Sequence, residues 1–477
     1  MRVWERWMAA LVWGWTLGFI LLCLVIPLST LLGHALGGLT TPGWSDSWTW
    51  GVFRCTAGLA LKSALLSGVL GTALGLALAQ GLDGSLTPGG FFKRFSLRFF
   101  IFLRSLLLIP YSVPTVVAAQ TWVIWLGRSG VLSSLLAPWG IQVDLLYSAQ
   151  AVIWAQVFFN VPWVAHQVLQ ARVLLPETWI EAAKTLGASS MQITGRLIFP
   201  ALSGVILTSL LQVFSVCTMS FGLVLLLGGG PPVQTLEVEL VQSLRENPLD
   251  LSRPVFFALL ELLLSCAPWF LILLLRRFGK ENTWQGHDVK AFGFIEPVPS
   301  MSPRAWALLG CALFFVLPYG SVFWGSTLFH RASETQWHSG LTALKNSLFL
   351  AGLSGGLTCL SATFAMLAMV HLPQSLRWLQ TSLVFLLSLP SGISILVLAL
   401  GFWFSYGLWV DPFEGSFLII ALIQMTSFMP LAIRMLFPLL GTLQSPLHEA
   451  AQTLGASSFQ SFLILNWPRL RSTVISV

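Results

Sequence analysis

Long apolar runs alternate with short polar breaks along this chain. Runs near 8–33, 55–82, 99–126, 149–173, 201–228 and 254–275 are each long enough for a membrane-spanning helix, which needs about 20 apolar residues. The series resumes near 304–326, 342–370, 379–404 and 417–440, and a further run opens after Pro468. Between 276 and 303 lies RRFGKENTWQGHDVKAFGFIEPVPSMSP, the most polar long stretch. The pattern predicts an all-α integral membrane fold. A first half over 1–278 carries six spans, 279–303 is a linker, and 304–477 is a second half with four spans and the start of a fifth. Six spans return the chain to its starting side, so the halves are expected to be repeats of parallel topology.

One polar phrase is duplicated inside this pattern. Residues 181–200 read EAAKTLGASSMQITGRLIFP, and 449–468 read EAAQTLGASSFQSFLILNWP, with 12 of 20 positions identical. Their offset of 268 also places Gln156 on Gln424 and Pro162 on Pro430. Upstream, at a larger offset, Leu61-Lys62-Ser63 matches Leu344-Lys345-Asn346 and Pro110 matches Pro390. After its phrase the first half runs on through two more spans, whereas nine residues follow Pro468. The second repeat is therefore expected to be incomplete at its C-terminus.

Each phrase predicts an elbow. Pro176 and Pro446 can open a short helix, which Gly187 and Gly455 then stop. Ser189-Ser190 and Ser457-Ser458 can cap a second helix, and Pro200 and Pro468 lead into the next span. The first arm is about ten residues, or roughly 15 Å. A simple interfacial anchor needs amphipathicity and not a particular sequence, so near-identity at matched places argues for a surface that two equivalent partners read.

Composition narrows the class. The chain is 56% hydrophobic and 9% charged, against about 25% charged in a soluble domain. Its net charge of +7 comes from basic residues in ones and twos at the ends of apolar runs, so nucleic acid is not an expected partner and membrane lipid is. With the N-terminus in the cytoplasm, 18 of the 25 Lys and Arg residues fall on the cytoplasmic side, as the positive-inside rule requires. Both phrases then lie in the cytoplasm. The six cysteines form no CxxC pair, so core filling is the better reading and no metal site is expected.

The phrases resemble the EAA signature of permease subunits of bacterial ABC importers. Glu181, Ala182, Ala183, Gly187, Leu197, Phe199 and Pro200 match it in the first half. Glu449, Ala450, Ala451, Gly455, Leu465, Trp467 and Pro468 match it in the second. The resemblance implies that each elbow is a coupling helix seated on a separate cytoplasmic ATPase subunit, two copies in all. It also implies a periplasmic binding protein that delivers the solute, and residence in the bacterial inner membrane. Two halves in one chain resemble the iron(III)/thiamine group. Stretches at 156–164, 226–244 and 388–403 look most like the thiamine permeases, so thiamine or its phosphates is the implied solute, with iron(III) as the alternative.

Other features are weighed against this. No GxxxxGK[ST] occurs, so the chain holds no ATP by a P-loop. No catalytic set stands out, and neither an enzyme activity nor a cofactor is expected. Glu261 is the one acidic residue placed well within a predicted span, the position a gradient-driven carrier would use for a proton. Gln156, Asn160 and Gln424 lie in spans beside Pro162 and Pro430. They are candidates for the translocation path, or for interhelical hydrogen bonds around a proline kink. Glu237 and Glu239 are expected on a loop, meeting a binding protein or simply solvated.

Overall fold

The structure, a computed structural model, describes residues 3–37, 47–82, 113–128, 130–140, 145–173, 175–230, 233–247, 251–278, 318–321, 334–370, 376–407, 409 and 417–436. The linker 279–303 and the second phrase, 449–468, lie outside them. The described elements are almost all helical. α1 (Val3–Phe19) passes through a π-turn, Ile20–Val25, into α2 (Ile26–Gly37). α3 (Ser47–Leu82), α4 (Thr115–Leu126) and α5 (Ala149–Val173) follow. The first phrase forms α6 (Glu177–Thr185) and α7 (Ser190–Ile193), and a second π-turn, Thr194–Ile198, leads into α8 (Phe199–Thr218). α9 (Phe221–Gly228), α10 (Leu236–Glu246) and α11 (Ser252–Phe278) complete the first half. The second half contributes α12 (Glu334–Val370), α13 (Arg377–Ser388), α14 (Ile395–Tyr406) and α15 (Phe417–Leu436).

Both π-turns have one cause. Pro27 and Pro200 each lie two residues past the π segment. Proline has no N–H and its ring crowds the carbonyl four residues earlier. A wider turn relieves that crowding without breaking the span.

Two expected spans are modified. The run at 201–228 is interrupted at Met219-Ser220, between α8 and α9. The run at 379–404 is a helix pair, Trp378–Gly392 and Ile395–Tyr406, bent by 104° between Gly392 and Ile395. The run at 99–126 is described only from residue 113, where α4 starts after Pro114. α4 and α14 each have 12 residues and share the offset of 280 that relates Pro110 to Pro390.

The described residues form two compact units. One draws on Met1–Pro42, Leu249–Leu262 and Ala332–Val477, and the other on Gly43–Pro248 and Leu263–Arg331. Packing thus crosses the sequence halves. In the first unit, α1 lies against α12 and α2 against α14. Trp15 Nε1 donates to Ser361 Oγ at 3.0 Å, and Tyr406 donates its hydroxyl to the Leu22 carbonyl at 2.6 Å. In the second unit the described piece of the seventh run, Pro318–Ser321, joins first-half helices, with Tyr319 against Phe158 and Phe159. The first span of the first half, and the described residues 318–321 of the first span of the second, thus pack with helices of the other half.

The second unit is built on α3 and α5, with α8 against both. Its close approach rests on glycine. A Cβ at Gly71 would lie 2.6 Å from Val164 Cβ and 2.9 Å from the Val161 carbonyl oxygen. One at Gly75 would lie 2.7 Å from the Ala165 oxygen. Small residues one turn apart let membrane helices touch backbone to backbone, where dispersion supplies the attraction that lipid cannot.

Candidate functional site

The elbow of the first phrase is set by local chemistry. α6 starts after Pro176, whose carbonyl accepts from Trp179 N at 3.2 Å. It ends in a Schellman motif: Ala188 N donates to Ala183 O and Gly187 N to Lys184 O, both at 3.0 Å. Gly187 has φ +78°, a left-handed conformation that glycine adopts at little cost. The turn runs directly into a capping box. Ser189 N donates to Gln192 Oε1 at 2.9 Å, and Gln192 N to Ser189 Oγ at 3.3 Å. One helix stop, ending at Ala188, and one helix start, opening at Ser189, thus abut with no residue between them, which makes the elbow rigid.

Its two faces differ. Ile180, Ile193 and Ile198 are buried with Val164, Val168 and Leu202 of the core, and Ala183 and Ala188 pack against them. The other face shows Glu181, Ala182 and Lys184 to the outside, with Leu186 and Met191 each 87% exposed. Of the two phrase alanines, one therefore seats the elbow and one is presented. Leu186 and Met191 were not singled out from sequence, although Leu454 and Phe459 repeat their apolar character in the second copy. Gly187 and Pro200 occupy the turn and the entry to α8, as expected. Glu449, Ala450, Ala451, Gly455 and Pro468 lie outside the described residues.

Gln156 and Asn160 are buried in a polar network. Gln156 Oε1 accepts from Ser63 Oγ at 2.7 Å. Its Nε2 donates to Ser220 Oγ at 2.6 Å and to the Cys217 carbonyl at 3.1 Å. Asn160 Nδ2 donates to the Gln156 carbonyl at 2.7 Å and meets Cys217 Sγ at 3.4 Å. The α8–α9 break frees carbonyls at the end of α8, and Gln156 takes one of them. The network joins α3, α5 and the break, using Ser63 and Ser220, which sequence reading passed over. Gln424 holds the matching position on α15 and is half-buried, but Asn346 stands where Ser63 does, exposed, and Phe428 replaces Asn160.

The acids depart from expectation. Glu237 and Glu239 are buried in the first turn of α10 and are not on a solvated loop. They sit at a helix N-terminus, where the backbone dipole favours negative charge. Glu261 is fully buried in α11. Three acids are therefore buried among the described residues, and of these Glu261 lies on a predicted span.

Comparison with known proteins adds to this geometry. Residues 71–275, which include the first phrase, match the family model described as the binding-protein-dependent transport system inner membrane component. The chain is 28% identical over 468 residues to the thiamine transport system permease protein ThiP of Brucella abortus (strain 2308), covering 93% of this chain and 80% of that one. It is 31% identical over 238 residues to ThiP of Escherichia coli (strain K12), covering 50% and 41%. A solved bacterial alginate ABC transporter in complex with an alginate pentasaccharide-bound periplasmic protein aligns with a TM-score of 0.46 at 15% identity, over 59% of this chain and 98% of its own.

Proposed function

We propose that this chain, which belongs to the family of binding-protein-dependent inner-membrane permeases of ABC importers, carries thiamine or its phosphates. Likeness to relatives named for thiamine transport over 93% of the chain supports that solute. The permease itself is not an enzyme. Transport energy enters through a cytoplasmic ATPase, and two copies are inferred from the two phrases. The first elbow carries the reading: a rigid, doubly capped turn seated on the core by isoleucines, with Leu186 and Met191 turned outward. Burying one such side chain in a partner cleft contributes about 1.5–3 kcal/mol. Glu181 and Lys184 beside them add charges that fix the register of docking. On this reading the N-terminus is cytoplasmic, in line with the distribution of Lys and Arg, and the binding protein docks on the opposite face.

A gradient-driven carrier is the competing reading, favoured by buried Glu261. Right-side-out vesicles, with the binding protein outside and the ATPase and ATP inside, separate the two. Uptake of labelled thiamine is expected to require ATP and to survive a protonophore at constant ATP. Loss of uptake under the protonophore would transfer the assignment to the carrier. ATP-driven uptake of iron(III) in place of thiamine would change the solute and keep the mechanism.

A further inference from the structure

The exchanged first spans carry a second repeat. Residues 25–30 read VIPLST and residues 316–321 read VLPYGS. Each has a proline followed three residues later by a hydroxyl. In the first unit Thr30 Oγ1 lies 3.0 Å from the Pro27 carbonyl oxygen and 2.7 Å from Ser405 Oγ on α14. In the second unit Ser321 Oγ donates to the Pro318 carbonyl and accepts from Trp125 Nε1 on α4 at 3.1 Å. The offset of 280 between α4 and α14 places Trp125 on Ser405. Two independent alignments thus converge on the same pair of positions. The indole N–H must donate to Ser321, whereas Ser405 Oγ also lies 2.8 Å from the Gly401 carbonyl and the proton between it and Thr30 can come from either hydroxyl. In a helix a Ser or Thr hydroxyl reaches the carbonyl one turn back, here that of the proline three residues earlier.

Further contacts align the same surfaces. A Cβ at Gly401 would lie 2.7 Å from the Pro27 carbonyl oxygen. His34 stacks on Phe404 with centroids 4.4 Å apart and planes 14° apart. Tyr406 reaches the Leu22 carbonyl inside the π-turn at 2.6 Å. α14 is the short arm of a helix pair bent by 104°. Its own backbone does not brace it along a straight span, so its placement depends on what grips its far end.

We infer that Thr30–Ser405 and Ser321–Trp125 are two copies of one clasp, by which the first span of each repeat positions the short third-span helix of the other. These are positioning residues, with no contact to solute required. Thr30→Cys with Ser405→Cys, in a chain whose six native cysteines are replaced and with a protease site in 279–303, tests the exchange in intact membranes. After oxidation and cleavage the two fragments are expected to stay joined until reduced, and the single-cysteine controls to separate. Separation of the double variant would overturn the clasp. A cycle of Ser321→Ala, Trp125→Phe and the double variant tests coupling. Each single is expected to lower uptake at saturating solute about threefold at unchanged membrane level and KM, the double no further, as for one shared membrane hydrogen bond. Ser321→Thr should restore the native rate. Losses that multiply in the double, or failure of Ser321→Thr, would also overturn it. The cross-linking arm needs no transport, so its result stands apart from the importer reading.

Discussion

Replacing Gly187 isolates what the elbow contributes. Its φ of +78° is held by two Schellman hydrogen bonds, and a Cβ built there meets nothing within 4 Å. Gly187→Ala therefore adds no clash. Its whole cost is the left-handed backbone, about 1–2 kcal/mol for a residue with a Cβ. That lowers the share of correctly bent elbows by roughly 5- to 30-fold if the turn relaxes locally. Gly187→Asn should cost far less, because asparagine tolerates this region. The core beneath the elbow is untouched, so the amount of protein in the membrane should not change. The assay is co-purification of the ATPase together with solute-stimulated ATP hydrolysis in proteoliposomes. Coupling is expected in the order Gly, Asn, Ala. Alanine as active as glycine, or asparagine as damaged as alanine, would refute the argument that backbone conformation matters here.

Other expectations follow from single contacts. Gly71→Ala must push α3 from α5, since the new Cβ would lie about 1 Å inside ordinary contact. Overpacking costs about 1–3 kcal/mol and exceeds the helix-propensity gain of up to ~1. Gly51→Ala on the same helix meets nothing and should stabilise, so SDS titration of the micelle-bound protein must show shifts of opposite sign. Leu186→Asp with Met191→Asp should abolish ATPase co-purification while leaving the detergent-unfolding midpoint within error; an unfolding shift instead would show that they pack internally. Gln156→Leu takes the acceptor from buried Ser63, while Ser220 still donates to the Cys217 carbonyl, and should destabilise by about 1–3 kcal/mol in the same titration. Glu261→Gln should retain ATP-driven uptake, measured in the vesicles used to separate ATP from the proton gradient.

Much of this protein is legible in its sequence because the relevant physics is local. Apolar run lengths mark where helices can cross a bilayer. Pro176, Gly187, Ser189 and Gln192 act within a few residues of themselves, so the elbow could be read from its own phrase. Duplication then exposed the second copy at 449–468 and the functional class. The tertiary structure decided what depends on distant neighbours. The hydrogen bonds of Gln156 depended on Ser63 and on the helix break at Met219-Ser220, 93 and about 60 residues away. Burial of Glu237 and Glu239 depended on the packing around α10 and not on their hydrophilic character. Hydropathy also cannot distinguish a straight span from the 104° bend after Gly392, since both hold the same apolar residues. The exchange of first spans was the least legible feature. Hydrophobicity is non-directional, so the sequences of α1 and α2 state that they must be covered, and only the fitted surfaces of α12 and α14 state by what.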